Sequence, residues 1–204
     1  MKLEDLKKDY DRLQLKYGAK ELDSIYNGGE CINPDIAFVF MNPTGRNIAS
    51  SKNWKGLKSP WIGTKNIWTL FYNVGLLDDD VYENVKKHKV FITNLGKCTQ
   101  IDARPLPDEV YKKYLNLFKK EMEIVNPKVI ILFGNQVSSI VLDEKISVSN
   151  VRKKLFVKKI NNKVFNFYSV FYPIGNGSFN VDKSIENIKW IISNMEEKYE
   201  NSKR

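Results

Sequence analysis

Residues Ile36 to Met41 form a charge-free, mostly apolar run that stops abruptly at Asn42-Pro43. A run of this kind reads as a buried strand. Two further apolar runs, Lys89 to Thr93 and Lys128 to Phe133, follow, and stretches with helical spacing lie between them. Strands that alternate with helices build a mostly parallel sheet covered on both faces, which makes this an α/β chain. In open sheets of that type, ligands sit outside the carboxyl ends of the strands. The first run ends at Asn42 and the second at Asn94. Two asparagines at strand ends suggest a site for a neutral ligand that bears amide groups, and a nucleobase is such a ligand.

The rest of the chain fits around these runs. Met1 to Tyr17 reads as an amphipathic helix, with Leu3, Leu6, Tyr10, Leu13 and Tyr17 on one face. Thr44 to Ser59 is a long polar loop, a length that inside a compact domain signals function or disorder. A helix opens with Thr64 as cap, carries Ile67, Trp68, Leu70, Phe71 and Val74, and stops at Gly75. Val81 to Lys87 is read as a short helix. The loop Gly96 to Pro107 precedes a helix from Asp108, as cap, to Val125, and Asn126-Pro127 ends it. Gly134 turns the third strand into a helix over Gln136 to Leu142. Val157 to Ile160 and Val164 to Tyr168 flank Asn161-Asn-Lys163 as a hairpin, with Val170 to Tyr172 leading on into the main sheet. The glycine loop Gly175-Asn-Gly-Ser178 introduces a last helix, Val181 to Tyr199. No internal repeat or linker interrupts residues 1–204, so a single domain is expected.

Composition narrows the function. The chain has 204 residues, 42% of them apolar, enough for a domain with a real core. No run of about 18 apolar residues is present, so no membrane-spanning helix is expected. The charged start Met1-Lys-Leu-Glu-Asp lacks the apolar segment of a signal peptide, and a cytoplasmic location is expected. Cys31 and Cys98 lie far apart and form no CxxC pair. Cysteine and histidine ligands are too few for a structural zinc site or an iron–sulfur cluster, and no metal or other cofactor is expected. The single histidine, His88, stands in Lys86-Lys-His-Lys89 and reads as a solvated helix end, which disfavours Ser-His-Asp or Cys-His chemistry. The net charge of +9 suggests a polyanionic partner, nucleic acid before an anionic membrane surface, although a lysine-rich proteome would give the same charge. Lysine far outnumbers arginine, which suits general attraction to phosphate better than bidentate base readout.

Taken together, the segments from Ile36 to Ile192 resemble the uracil-DNA glycosylase superfamily. Phe40-Met-Asn-Pro-Thr44 resembles the first motif of its single-strand-selective and mismatch-specific branches, Gly-Met/Ile-Asn-Pro-Gly. The helix Lys65 to Leu77 is similar to the one that follows this motif in the mismatch-specific branch. Val90 to Cys98, Arg104 to Glu109 and Val125 to Gly134 are similar to the thermostable iron–sulfur branch, whose cluster cysteines are missing here except Cys98. Phe171-Tyr-Pro-Ile-Gly175 occupies the place of the last motif, His-Pro-Ser. Phe40 and Thr44 replace the two glycines of the first motif, and Tyr172 replaces the histidine of the last.

The resemblance implies a three-layer αβα sandwich around a mostly parallel four-stranded sheet, and a monomer. It also implies excision of uracil or another deaminated base from DNA, in base excision repair, by base flipping and a positioned water. Asn42 would hold the water through its side-chain carbonyl, and Tyr172 would stand where charge builds on the departing base. Met41, Trp61 and Asn94 would bind the base, with Asn94 pairing to its polar edge and Trp61 stacking on it. Thr44, Arg46, Gly175, Asn176, Gly177 and Ser178 would contact the DNA backbone. Each residue also has a plainer reading. Asn42 can simply turn the chain before Pro43, Asn94 can close an Asx-turn, and Trp61 can be core. The loop from Tyr172 to Ser178 can simply enter the last helix. Arg152, Lys153, Lys154, Lys158 and Lys159 read more readily as a solvated hairpin face than as phosphate contacts. A non-catalytic nucleic-acid-binding relative of the same fold is the alternative to an enzyme.

Overall fold

A computed structural model describes residues 1–25, 32–45, 65–75, 89–102 and 104–201. Among these, a turn of 3-10 helix at Leu3–Leu6 leads into α1 (Lys7–Tyr17). Then follow β1 (Ile36–Phe40), α2 (Lys65–Asn73), β2 (Val90–Asn94), α3 (Asp108–Val125), β3 (Val129–Phe133) and α4 (Asn135–Leu142). A hairpin of β4 (Phe156–Ile160) and β5 (Lys163–Val170) and the long helix α5 (Val181–Asn201) complete the order.

The sheet has five strands in the order β2-β1-β3-β5-β4. Every neighbouring pair is parallel except the β4–β5 hairpin. The expected count of four is therefore corrected to five. The second hairpin strand inserts beside β3, with Phe133 opposite Val170, and brings the first along as the outer edge. All residues of β1, β2 and β3 are buried, as strands covered on both faces must be. Asn161 makes the hairpin turn at φ 48°, a left-handed conformation that asparagine tolerates.

Register sorts the two faces. Phe38 lies 4.9 Å from the Phe71 ring of α2, and Tyr168, on the same face, meets Trp190 of α5 edge-on. Thr93 pairs with Val39, one position on from Phe38, so it points the other way and bonds to Glu121 of α3. Helices α2 and α5 thus cover one face, and the N-terminal segment with α3 and α4 covers the other. Leu3, Leu6 and Tyr10 are buried there, and Tyr10 stacks on Tyr114. Three local expectations change. Pro107 occupies the cap position of α3, while Asp108 sits in the first turn, where a carboxylate suits the helix dipole. The glycine loop is wound into a 3-10 helix, Gly175–Asn180. Helix α5 runs on to Asn201. Among the described residues no helix is long and apolar enough to cross a membrane.

Candidate active site

The carboxyl ends of β1 and β2 are joined beyond the sheet. Phe40 stands opposite Asn94, and the carbonyls of Phe40 and Met41 accept from the amides of Leu95 and Gly96 at 2.8 and 2.9 Å. The pairing resumes at Thr44 and Gln100, where Gly45 donates to the Gln100 carbonyl at 2.7 Å. Asn42 and Asn94 are therefore held on one rim by backbone bonds. Both side chains are nearly buried, 8% and 9% exposed.

Asn42 is fixed by α3. The Tyr111 hydroxyl donates to Asn42 Oδ1 at 2.6 Å, and Asn42 Nδ2 donates to the Arg104 carbonyl at 3.4 Å. The same Tyr111 oxygen accepts from the Leu106 amide at 3.3 Å. Gln136, at the start of α4, donates to the Leu106 carbonyl and to Asp108, which ties the loop after β2 to the third strand's helix. An amide oxygen has two acceptor sites, so Asn42 keeps one after Tyr111 has used the other. The side-chain amide of Asn94 bonds to none of the described residues. It offers a donor and an acceptor beside Asn42.

Aromatic rings form the neighbouring wall. Phe40 stacks on Phe133 with centroids 4.3 Å apart and meets Tyr172 edge-on. In place of a glycine, this chain has a ring packed into the core at the end of β1, 4% exposed. Tyr172 rests against Gly134, where an added Cβ would lie 3.3 Å from the tyrosine Cβ. Gly134 also has φ 86°, a conformation that costs a side chain dearly. A Cβ on Gly177 would collide with the Tyr172 carbonyl. Burial pushes the Tyr172 phenol up to about 12, so near neutral pH it is an uncharged donor. Burial likewise raises Tyr111, which keeps its proton on the bond to Asn42.

The sequence-predicted residues divide as follows. Asn42, Asn94 and Tyr172 come together at the carboxyl edge, with Met41 half-buried beside them. Thr44 is half-buried in the bridge to Gln100. Gly175, Asn176 and Ser178 are exposed on the 3-10 segment after Tyr172, whereas the Gly177 amide donates within that turn to Ile174. Trp61 and Arg46 lie outside the described residues, as do Cys31, His88, the Thr64 cap and the loop from Arg46 to Ser59. The basic cluster is largely engaged within the protein. Arg152 and Lys153 pair with Glu186, Lys158 pairs with Glu144, and Lys154 lies over the Phe156 ring. That outcome favours the solvated-face reading.

The sequence pattern does not single out Tyr111 or Phe179. Tyr111 looks like one more apolar-face residue of α3 in sequence, since Tyr114, Leu117 and Phe118 share its spacing. Phe179 is 78% exposed on the 3-10 segment, an exposure that apolar patterning gives no reason to expect. Among the described residues no cluster of three metal-ligating side chains occurs. A family model described as the uracil DNA glycosylase superfamily matches residues 29–180, the span that carries all five strands and both asparagines.

Proposed function

The chain belongs to the uracil DNA glycosylase superfamily, which carries a DNA glycosylase-type function in general, and from that premise we propose a specific reaction. The protein is a monofunctional glycosylase that hydrolyses the bond between deoxyribose and uracil, or another deaminated base, and leaves an abasic site. The observation that carries the reading is the Asn42 amide, almost buried and held by the Tyr111 hydroxyl at 2.6 Å, one strand from the open amide of Asn94.

The chemistry follows from what such a site must do. Cleavage passes through an oxocarbenium-like sugar and a departing base that gains negative charge. A water on the far face of the sugar needs an acceptor that holds it without a strong base, and the free acceptor site of Asn42 Oδ1 supplies one. Asn94 pairs with the donor–acceptor edge of a flipped base. Tyr172 donates its hydroxyl proton in a hydrogen bond as charge develops, and one well-placed donor of this kind contributes about 3 kcal/mol. The exposed ring of Phe179 is an apolar wedge for the gap that a flipped nucleotide leaves. The protein acts as a monomer in the cytoplasm.

A second reading rests on Phe40. Its ring fills space that a glycine leaves open, which favours a relative that binds nucleic acid without chemistry. Single-turnover cleavage separates the two. Labelled single- and double-stranded oligonucleotides carrying uracil, hypoxanthine or xanthine are incubated with excess protein, and alkali reveals abasic sites. Base release should fall by orders of magnitude in Asn42→Ala while DNA binding survives. Release at the wild-type rate by that variant would refute the role of Asn42. Binding with no release from any substrate would favour the second reading.

A further inference from the structure

A buried ion pair lies directly behind Asn94. Lys97 is 1% exposed and Glu121 0%. Lys97 Nζ donates to Glu121 Oε2 at 2.8 Å, to the Asn94 backbone carbonyl at 2.7 Å and to the Thr93 hydroxyl. Thr93 in turn donates to Glu121 at 3.1 Å, and the ammonium lies 5.4 Å from the centre of the Tyr10 ring. Burial pushes Lys97 below and Glu121 above their ordinary values, and the attraction between the two opposes both shifts.

We infer that the Lys97–Glu121 pair is a positioning device for Asn94, which fixes the amide edge that reads the base. This rests on the base-reading role proposed for Asn94. Three observations support it. First, burying two charges costs several kcal/mol for each ion, and well-packed apolar residues often stabilise a core as well or better. Stability is therefore a poor reason for the pair. Second, β2 is an edge strand among the described residues, and its Leu95 amide points to β1, so the Asn94 carbonyl points away from β1 and meets no backbone donor among the described residues. The Lys97 ammonium meets it instead. Third, the pair acts from the face opposite the Asn94 side chain, because Thr93 shares its face with Val39 and Asn94 shares its face with Phe40. The contact pins the backbone and leaves the reading edge free.

The test replaces both charges at once, in Lys97→Met with Glu121→Leu, so that no lone buried charge remains. Thr93→Val, of equal volume, is a second and milder variant should the first fail to fold. Each is made in the wild-type and Asn94→Ala backgrounds. Uracil release is measured in single turnover, and anisotropy compares binding of uracil- and thymine-containing oligonucleotides. A folded double variant should release uracil about 10- to 100-fold more slowly, the scale of an ångström-sized misplacement. Thr93→Val should shift the rate in the same direction by less. In the Asn94→Ala background both losses should disappear, because Lys97 acts through Asn94.

Wild-type rates in the folded variants, or losses undiminished without the Asn94 side chain, would overturn the inference. If the wild-type protein releases no base, the glycosylase reading fails, and binding decides the role of the pair. A uracil preference lost in the variants would support the inference, and one retained would overturn it. A wild-type protein with neither release nor preference would overturn both.

Discussion

Asn42 combines two properties that oppose each other in most sites: a polar side chain that is almost buried, and an acceptor kept open. Tyr111 reconciles them by occupying one acceptor site of Oδ1 and leaving the other. Tyr111→Phe removes that hydroxyl with little change of volume. The Leu106 amide then loses its acceptor as well. A loss of about 1 kcal/mol in stability is expected from the broken bonds. Uracil release should slow about tenfold, through loss of orientation, with DNA affinity unchanged. Thermal melts, single-turnover rates and anisotropy on one preparation check all three. An unchanged rate with lowered stability would reduce Tyr111 to a structural bond. The asparagines were legible because a charge-free strand that stops on a polar residue stands out from its neighbours. Tyr111 was not legible, because a tyrosine on the apolar stripe of a helix shows its ring to the pattern and its hydroxyl only to the folded partner. Lys97 was missed for the reverse reason. A lysine in a turn reads as solvated, and it is buried by Glu121 of α3 together with Tyr10 of α1.

At the scale of elements, the site depends on how closely three strand ends approach. Gly134 is the point of least tolerance. It joins β3 to α4 at φ 86°, donates to the Val170 carbonyl, and supports Tyr172 at the end of β5. Gly134→Ala meets both a left-handed backbone, which costs an alanine about 1–2 kcal/mol, and a tight contact with Tyr172. Urea unfolding should show a loss of at least that size, and base release should fall further than stability alone explains, since Tyr172 must shift. An alanine variant with wild-type stability would show that the turn relaxes freely. The strand runs and most helix spans could be read from the sequence because periodicity is local. The order of the strands could not. Val170 to Tyr172 could be read as leading into the main sheet, but nothing in Val157 to Ile160 states that the outer hairpin strand joins it too, and so the sheet has five strands where four were expected. The glycine segment reads in sequence as an open loop, whereas it is wound into a 3-10 helix in which the Tyr172 carbonyl leaves no room for a side chain at Gly177.

Over the whole molecule, charge and burial act on different variables. The excess of lysine gives a net charge of +9, so DNA affinity should fall steeply with salt, linearly in log–log form with one slope unit for roughly each phosphate contacted. Because the basic cluster around Arg152 is engaged with Glu186 and Glu144, its charge-reversal variants should leave that slope nearly unchanged. Burial instead governs the response to alkali. Tyr10, Tyr111, Tyr114 and Tyr172 are all raised above the ordinary tyrosine value, chiefly by burial, Tyr172 to about 12. The folded chain keeps these phenols neutral at a pH where the unfolded chain ionises them near 10. A group raised in the folded state contributes stability that is complete below the unfolded value and is lost as pH climbs through the folded one. Melting temperatures should therefore hold steady from pH 7 to about 8, slip slightly above that as the Cys98 thiol, also raised by burial, ionises in the unfolded chain, and fall steeply between about 10 and 12. Removing one such phenol in Tyr114→Phe should soften that fall without altering the plateau slope. Melts followed by circular dichroism across this range test it. Melting temperatures that stay flat between about pH 10 and 12 would mean that these rings are wetter than their packing implies, and that Tyr172 does not reach substrate as a buried neutral donor.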